Sequence, residues 1–122
     1  MTSEQRLSPL EMKALREALK GPETWKGVLR AQIPGLRVVS REGTGAGGYI
    51  NLSLGDGYPL ARIGPEEKGY PPVVDVTHPD IPYGGAFMVW TEEGRISLLE
   101  YYSNGGESWP ERAAVDSFTF KT

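Results

Sequence analysis

Apolar positions recur at helical spacing near the start of the chain: Leu10, Ala14, Leu15, Ala18 and Leu19 form one stripe. Ser8 is placed to cap that helix, Pro9 fits its first position, and Glu11 completes an S-x-x-E box. Gly21-Pro22 ends it. A second short helix is expected from about Glu23 to Gln32, with Trp25, Val28, Leu29 and Ile33 on one side, although Gly27 weakens it. After Pro34-Gly35 the period drops towards two. Strands are expected at Leu36–Arg41, Tyr49–Leu54, weakly near Leu60–Ile63, then Val73–Thr77, Ala86–Thr91, Arg95–Tyr102 and Val115–Phe120. In the second of these, Ile50, Leu52 and Leu54 face one way, and Tyr49, Asn51 and Ser53 the other. The segment AFMVWT-EEG-RISLLEYY reads as a hairpin with Gly94 at a left-handed turn position.

Helices followed by a run of hairpin-linked strands imply an α+β fold. The expected arrangement is one or two N-terminal helices packed on a single antiparallel β-sheet of about five to six strands. One domain should span 1–122, helical over 1–35 and sheet over 36–122.

Charge adds an asymmetry. Residues 1–45 carry eight Lys/Arg against five Asp/Glu, and residues 46–122 carry five against eleven. An acidic C-terminal region argues against nucleic acid as partner, since phosphates require neutralising cations. It suits a basic protein, and it also serves solubility. With no cysteine, disulfides and thiolate metal sites are excluded. The N-terminus lacks the apolar region of a secretory signal and no apolar run approaches membrane-spanning length, so a cytoplasmic location and no membrane partner are expected.

Catalytic and cofactor signatures are weak. Gly43, Gly45 and Gly48 in GTGAGG match G-x-G-x-x-G, but a strand follows where a dinucleotide site needs a helix. No lysine follows the glycines as in a phosphate loop, and no H-R-D or D-F-G accompanies them. A flexible structural joint is the better reading, and no cofactor is expected. His78 is the single histidine, which with no cysteine leaves no metal site to predict; a loop imidazole bonded to backbone is expected. The acids match neither a calcium loop nor a fixed glycosidase pair.

Glu100 stands apart, because alternation in ISLLEYY puts it on a strand face with Ile96 and Leu98. Such an acid needs a partner, and Arg37, Arg41, Arg62, Arg112 or amides of the 103–107 loop are the candidates. The aromatic set Tyr101, Tyr102 and Trp109, beside Glu92, Glu93, Glu107 and Glu111, has the make-up of a binding surface for a basic protein segment. Trp109 equally suits a cap on the core.

The stretch Arg41, Glu42, Thr44, Gly45, Gly47, Gly48, Tyr49 and the later run Gly85 to Trp90, Gly94 to Ser97, Leu99, Glu100, Tyr102, Glu107, Trp109 and Pro110 form an R-E-x-T-G-x-G … G-R-x-S-x-L-E-x-Y … E-x-W-P pattern. It resembles a family of small uncharacterised bacterial cytoplasmic proteins. That family brings no catalytic residues to carry over. Some proteins of this size and style are similar to immunity proteins that neutralise toxins, by analogy rather than by motif.

The leading expectation is a non-enzymatic protein-binding domain, an immunity-type inhibitor in its sharpest form. Glu92, Glu93, Glu100, Tyr101, Tyr102, Glu107, Trp109 and Glu111 would meet a basic, toxin-like partner. The alternative is a small-ligand or enzymatic site around Glu100, His78 and the Tyr/Trp cluster. A third is self-association through the 86–102 hairpin as a sheet edge.

Overall fold

The computed structural model describes residues 6–65 and 70–121. The first five residues of the expected 1–35 helical region lie outside it. Two helices, α1 (Pro9–Ala18) and α2 (Thr24–Gln32), precede six strands: β1 (Leu36–Gly43), β2 (Gly47–Leu54), β3 (Val73–His78), β4 (Ile81–Glu92), β5 (Arg95–Ser103) and β6 (Thr119–Lys121). The strands form one antiparallel sheet in the order β1-β2-β5-β4-β3-β6. The helices lie on one of its faces, α1 over β3 and β4 and α2 over β5, giving the α+β arrangement expected from the sequence.

Helix α1 starts as its caps dictate. Ser8 Oγ accepts from the Glu11 amide at 3.1 Å, and the Glu11 carboxylate accepts from the Ser8 amide at 2.8 Å. Helix α2 has no side-chain cap. It is tied instead to the end of α1 by Arg30, which donates to the carbonyls of Leu19 and Gly21. Its Gln32 is fully buried. There it donates to the carbonyls of Pro59 and Gly94, each at 2.9 Å, and accepts from the Ile96 amide at 3.0 Å.

The core lies between helices and sheet. Leu15, Leu19, Leu29 and Ile33 meet the sheet's helix-side rows, among them Ile50–Leu99–Val89 and Tyr101–Phe87–Val74. Trp109 and Phe118 close one end of it, their rings stacked at 5.5 Å, so Trp109 does cap the core.

Three expectations are corrected. The 60–63 segment is not a strand; it follows Pro59, and its Ala61 amide bonds to the Gly94 carbonyl at 2.8 Å. Val115–Ser117 forms a 3-10 turn, and only Thr119–Lys121 beyond it pairs with β3. The β4–β5 hairpin sits in the middle of the sheet rather than at its edge, which leaves β1 and β6 as edge strands.

Candidate functional site

Side chains of facing residues in an antiparallel ladder emerge on the same side of the sheet. The registers therefore define what lies on the face away from the helices. One row runs Glu42–Tyr49–Glu100–Met88–Val73 across five strands. A second runs Ser40–Asn51–Leu98–Trp90. A third runs Tyr102–Ala86–Asp75–Lys121. No described helix packs on this face. Tyr49 is 38% exposed, Trp90 38% and Val73 48%. Sheets of this kind usually keep polar residues on an uncovered side, so an aromatic and aliphatic field in that position calls for an explanation.

Glu100 reaches this face through a β-bulge. Trp90 pairs with Leu98 but Thr91 pairs with Ile96, leaving Ser97 as an extra residue in β5. The bulge shifts the alternation by one position. Ile96 points into the core, while Leu98, Glu100 and Tyr102 point away from it. The expected shared face of Glu100 and Ile96 is thus corrected. Glu100 accepts from Trp90 Nε1 at 2.9 Å, and among the described residues none of the expected arginines or loop amides is seen to donate to it.

Two carboxylates flank Tyr49. Glu42 lies opposite it on β1 and Glu100 opposite it on β5, one strand spacing of about 4.8 Å on either side. Asn51 Nδ2 donates to Glu42 and to Ser40 Oγ, each at 2.9 Å, fixing the Glu42 side chain. The described basic groups on the face are peripheral. Lys121 lies opposite Asp75 on the edge strand, Arg95 at the β4–β5 turn, and Arg37 near the start of β1. Burial, with the nearby Glu100 and Asp75 carboxylates, holds the Tyr102 phenol above the usual tyrosine range.

The eight residues expected to bind a partner are distributed over several surfaces. Glu100 and Tyr102 share the open face. Glu92 and Glu93 stand at the β4–β5 turn, where Glu93 and Gly94 both have positive φ, 51° and 80°. They rim a groove of about 600 Å³ walled by Trp25, Trp90, Ile63 and Pro72. Tyr101 and Trp109 are on the helix side, where with Glu111, Leu10 and Arg112 they line a groove of about 830 Å³. Burial raises the Tyr101 phenol as well, helped by the Glu111 and Glu11 carboxylates. Glu107 turns into the 103–107 loop, its carbonyl accepting from Ser103 Oγ at 2.6 Å.

The sheet also divides the Glu100, His78 and Tyr/Trp set. His78 packs its ring on Phe118 at 4.7 Å, on the helix side, and its Nδ1 accepts the Asp80 amide at 3.0 Å. Tyr49, Trp90, Leu98, Met88 and Glu42 were not singled out from the sequence as site residues. The available signal was the Tyr49-Asn51-Ser53 side of β2, which faces away from the apolar side of that strand.

GTGAGG forms the β1–β2 turn, with Gly45 at φ 88°. The turn is held on both sides: the Trp109 amide donates to the Gly45 carbonyl at 2.9 Å and the Ser103 amide to the Ala46 carbonyl at 2.8 Å. It is a pinned corner rather than a flexible joint. Among the described residues no group of three or more His, Asp or Glu gathers as a metal site, and no helix is long and apolar enough to cross a membrane. No family model, curated protein or solved structure matches the chain.

Proposed function

We propose that the chain is a protein-recognition domain that docks a basic partner on the open face of its sheet. The observation that carries this reading is the Glu42–Tyr49–Glu100 row at the centre of an uncovered apolar field. Tyr49, Trp90, Leu98 and Met88 supply contact area of the kind that dominates interfaces. Glu42 and Glu100, with no base beside them in their row, select a cationic surface and steer its approach. An immunity-type inhibitor is the form that best suits the surface. A cleft that binds phosphates is basic, and the Glu42–Tyr49–Glu100 row would meet its cations.

The test uses the full chain as bait in a lysate of its source cell, beside a Tyr49→Ser/Glu100→Gln variant and a helix-side Glu17→Gln control. A protein retained by wild type and control is then purified and titrated by calorimetry. The expected result is affinity at least about tenfold weaker for the open-face variant, as loss of a charge-assisted contact and an aromatic anchor requires, and weaker again at raised salt. Equal affinity of variant and wild type, indifference to salt, or no retained protein would overturn the reading.

A further inference from the structure

The groove at the β4–β5 turn arises because β3 is shorter than β4. Pairing between them begins at Val73↔Met88. The Val89 amide still finds the Pro72 carbonyl at 2.8 Å, but Pro71 and Pro72 have no N–H to extend the ladder. The chain leaves the sheet there, and among the described residues no strand pairs with Trp90 to Glu93 on that side. The opposite wall is held by the Ala61–Gly94 hydrogen bond, and Trp25 of α2 closes the space from the helix side.

The resulting cleft of about 600 Å³ has apolar walls, with Trp25, Trp90, Ile63, Pro71, Pro72 and Val89 among them. Among the described residues lining it, only Glu92 and Glu93 are titratable, and neither is in an ion pair. Arg95 faces Glu92 across the hairpin but does not line the cleft. Indole walls with carboxylates at the mouth match one side-chain chemistry. A long apolar stem lies along prolines and isoleucine, and a planar cation stacks on indole while its fork meets carboxylates.

We propose that this cleft is the anchor pocket for a single arginine side chain of the protein partner. The inference rests on the recognition role of the open face, which it deepens. Trp90 links the two, since it stands on the open face and also walls the cleft. A partner lying across Tyr49 and Leu98 would bring a protruding arginine over the end of β4. The same arrangement would discriminate against lysine, whose ammonium can neither stack nor fork.

N-acetyl-arginine amide is the probe, with the uncharged citrulline analogue and N-acetyl-lysine amide as controls. The readout is the indole N–H resonances of the three tryptophans. Saturable shifts are expected at Trp25 and Trp90 and not at buried Trp109. Binding should weaken about tenfold for the citrulline analogue and in Glu92→Gln/Glu93→Gln, the scale of a charge-assisted contact, and less for lysine. Both substituted residues are exposed, so the variant should keep its fold. Equal shifts from the citrulline analogue, shifts that survive in the variant, or shifts confined to Trp109 would overturn the pocket. The two proposals fail separately. A captured partner that binds the Glu92→Gln/Glu93→Gln protein as tightly as wild type removes the pocket and leaves the docking face standing. Arginine amide binding in a chain that captures no partner removes the docking face and leaves the pocket.

Discussion

Gln32 joins parts of the molecule that its neighbours in sequence do not reach. It lies on the apolar stripe of α2, one residue before Ile33, and its amide satisfies the Pro59 and Gly94 carbonyls and the Ile96 amide together. Gln32→Leu keeps the volume and removes all three bonds. The Gly94 carbonyl keeps the Ala61 amide, but the Pro59 carbonyl and the Ile96 amide lose the Gln32 partner. Because buried groups left unpaired each cost about 1–3 kcal/mol, urea unfolding should show a loss of about 3 kcal/mol, with the Glu93-Gly94 turn loosened. A change below about 1 kcal/mol would mean that water replaces the amide. Tyr102 offers a second test at this scale. Its phenol is raised by burial and by Glu100 and Asp75, so the folded state favours the protonated form. The associated stability is complete below the unfolded pKa of about 10 and is lost as pH rises through the higher folded value. Glu100→Gln removes one of the causes. Ultraviolet titration of tyrosinate should show one phenol moving down towards the ordinary value, absent from a Tyr102→Phe background. An unchanged curve would place Glu100 and Tyr102 apart.

Elements differ in how far the sequence announces them. Helix α1 was legible because its cap, first proline and apolar stripe are all local signals, and the β4–β5 hairpin because Gly94 and two alternating runs are also local. The bulge at Ser97 was not legible, since nothing in RISLLEYY marks which residue is extra; the pairing of Trp90 with Leu98 decides it. That single residue determines which side of the sheet Glu100 occupies, so the candidate site was hidden with it. Strand order was equally unreadable, as it depends on which strands meet in space. The glycine-rich turn falls between these cases. Its glycines invite a phosphate reading, yet their roles are steric. A Cβ on Gly47 would fall on the Tyr101 carbonyl oxygen and within 2.7 Å of the Tyr102 Cα, while one on Gly43 meets nothing within 4 Å. Gly47→Ala should therefore destabilise the protein by about 3 kcal/mol, because backbone cannot give way as a side chain can, and Gly43→Ala by about 0.5 kcal/mol or less. Comparable thermal unfolding of the two variants would show that β2 and β5 pass more loosely than their register implies.

At the scale of the whole molecule the sheet separates two kinds of apolar surface. On the helix side, Phe87 is in contact with Trp109, Tyr101 and Phe120 and is 1% exposed. On the other side, Trp90 and Tyr49 keep 38% of their surface in water. Folding needs the first set more than the second, because over a third of each side chain in the second stays in water. Phe87→Ala should cost about 3–5 kcal/mol as a core cavity. Trp90→Thr, placed in a strand where a β-branched residue is favoured, should cost about 1 kcal/mol or less and still weaken partner binding. That separation distinguishes a docking face from an incidental one, since an apolar residue that stabilises neither the fold nor a complex has no physical reason to stand uncovered beside two carboxylates. Denaturant titration of both variants, paired with calorimetry against the captured partner, makes the comparison directly. If Trp90→Thr lowers stability as much as Phe87→Ala does, the open face belongs to the core, and the sheet must be covered there by something other than a partner.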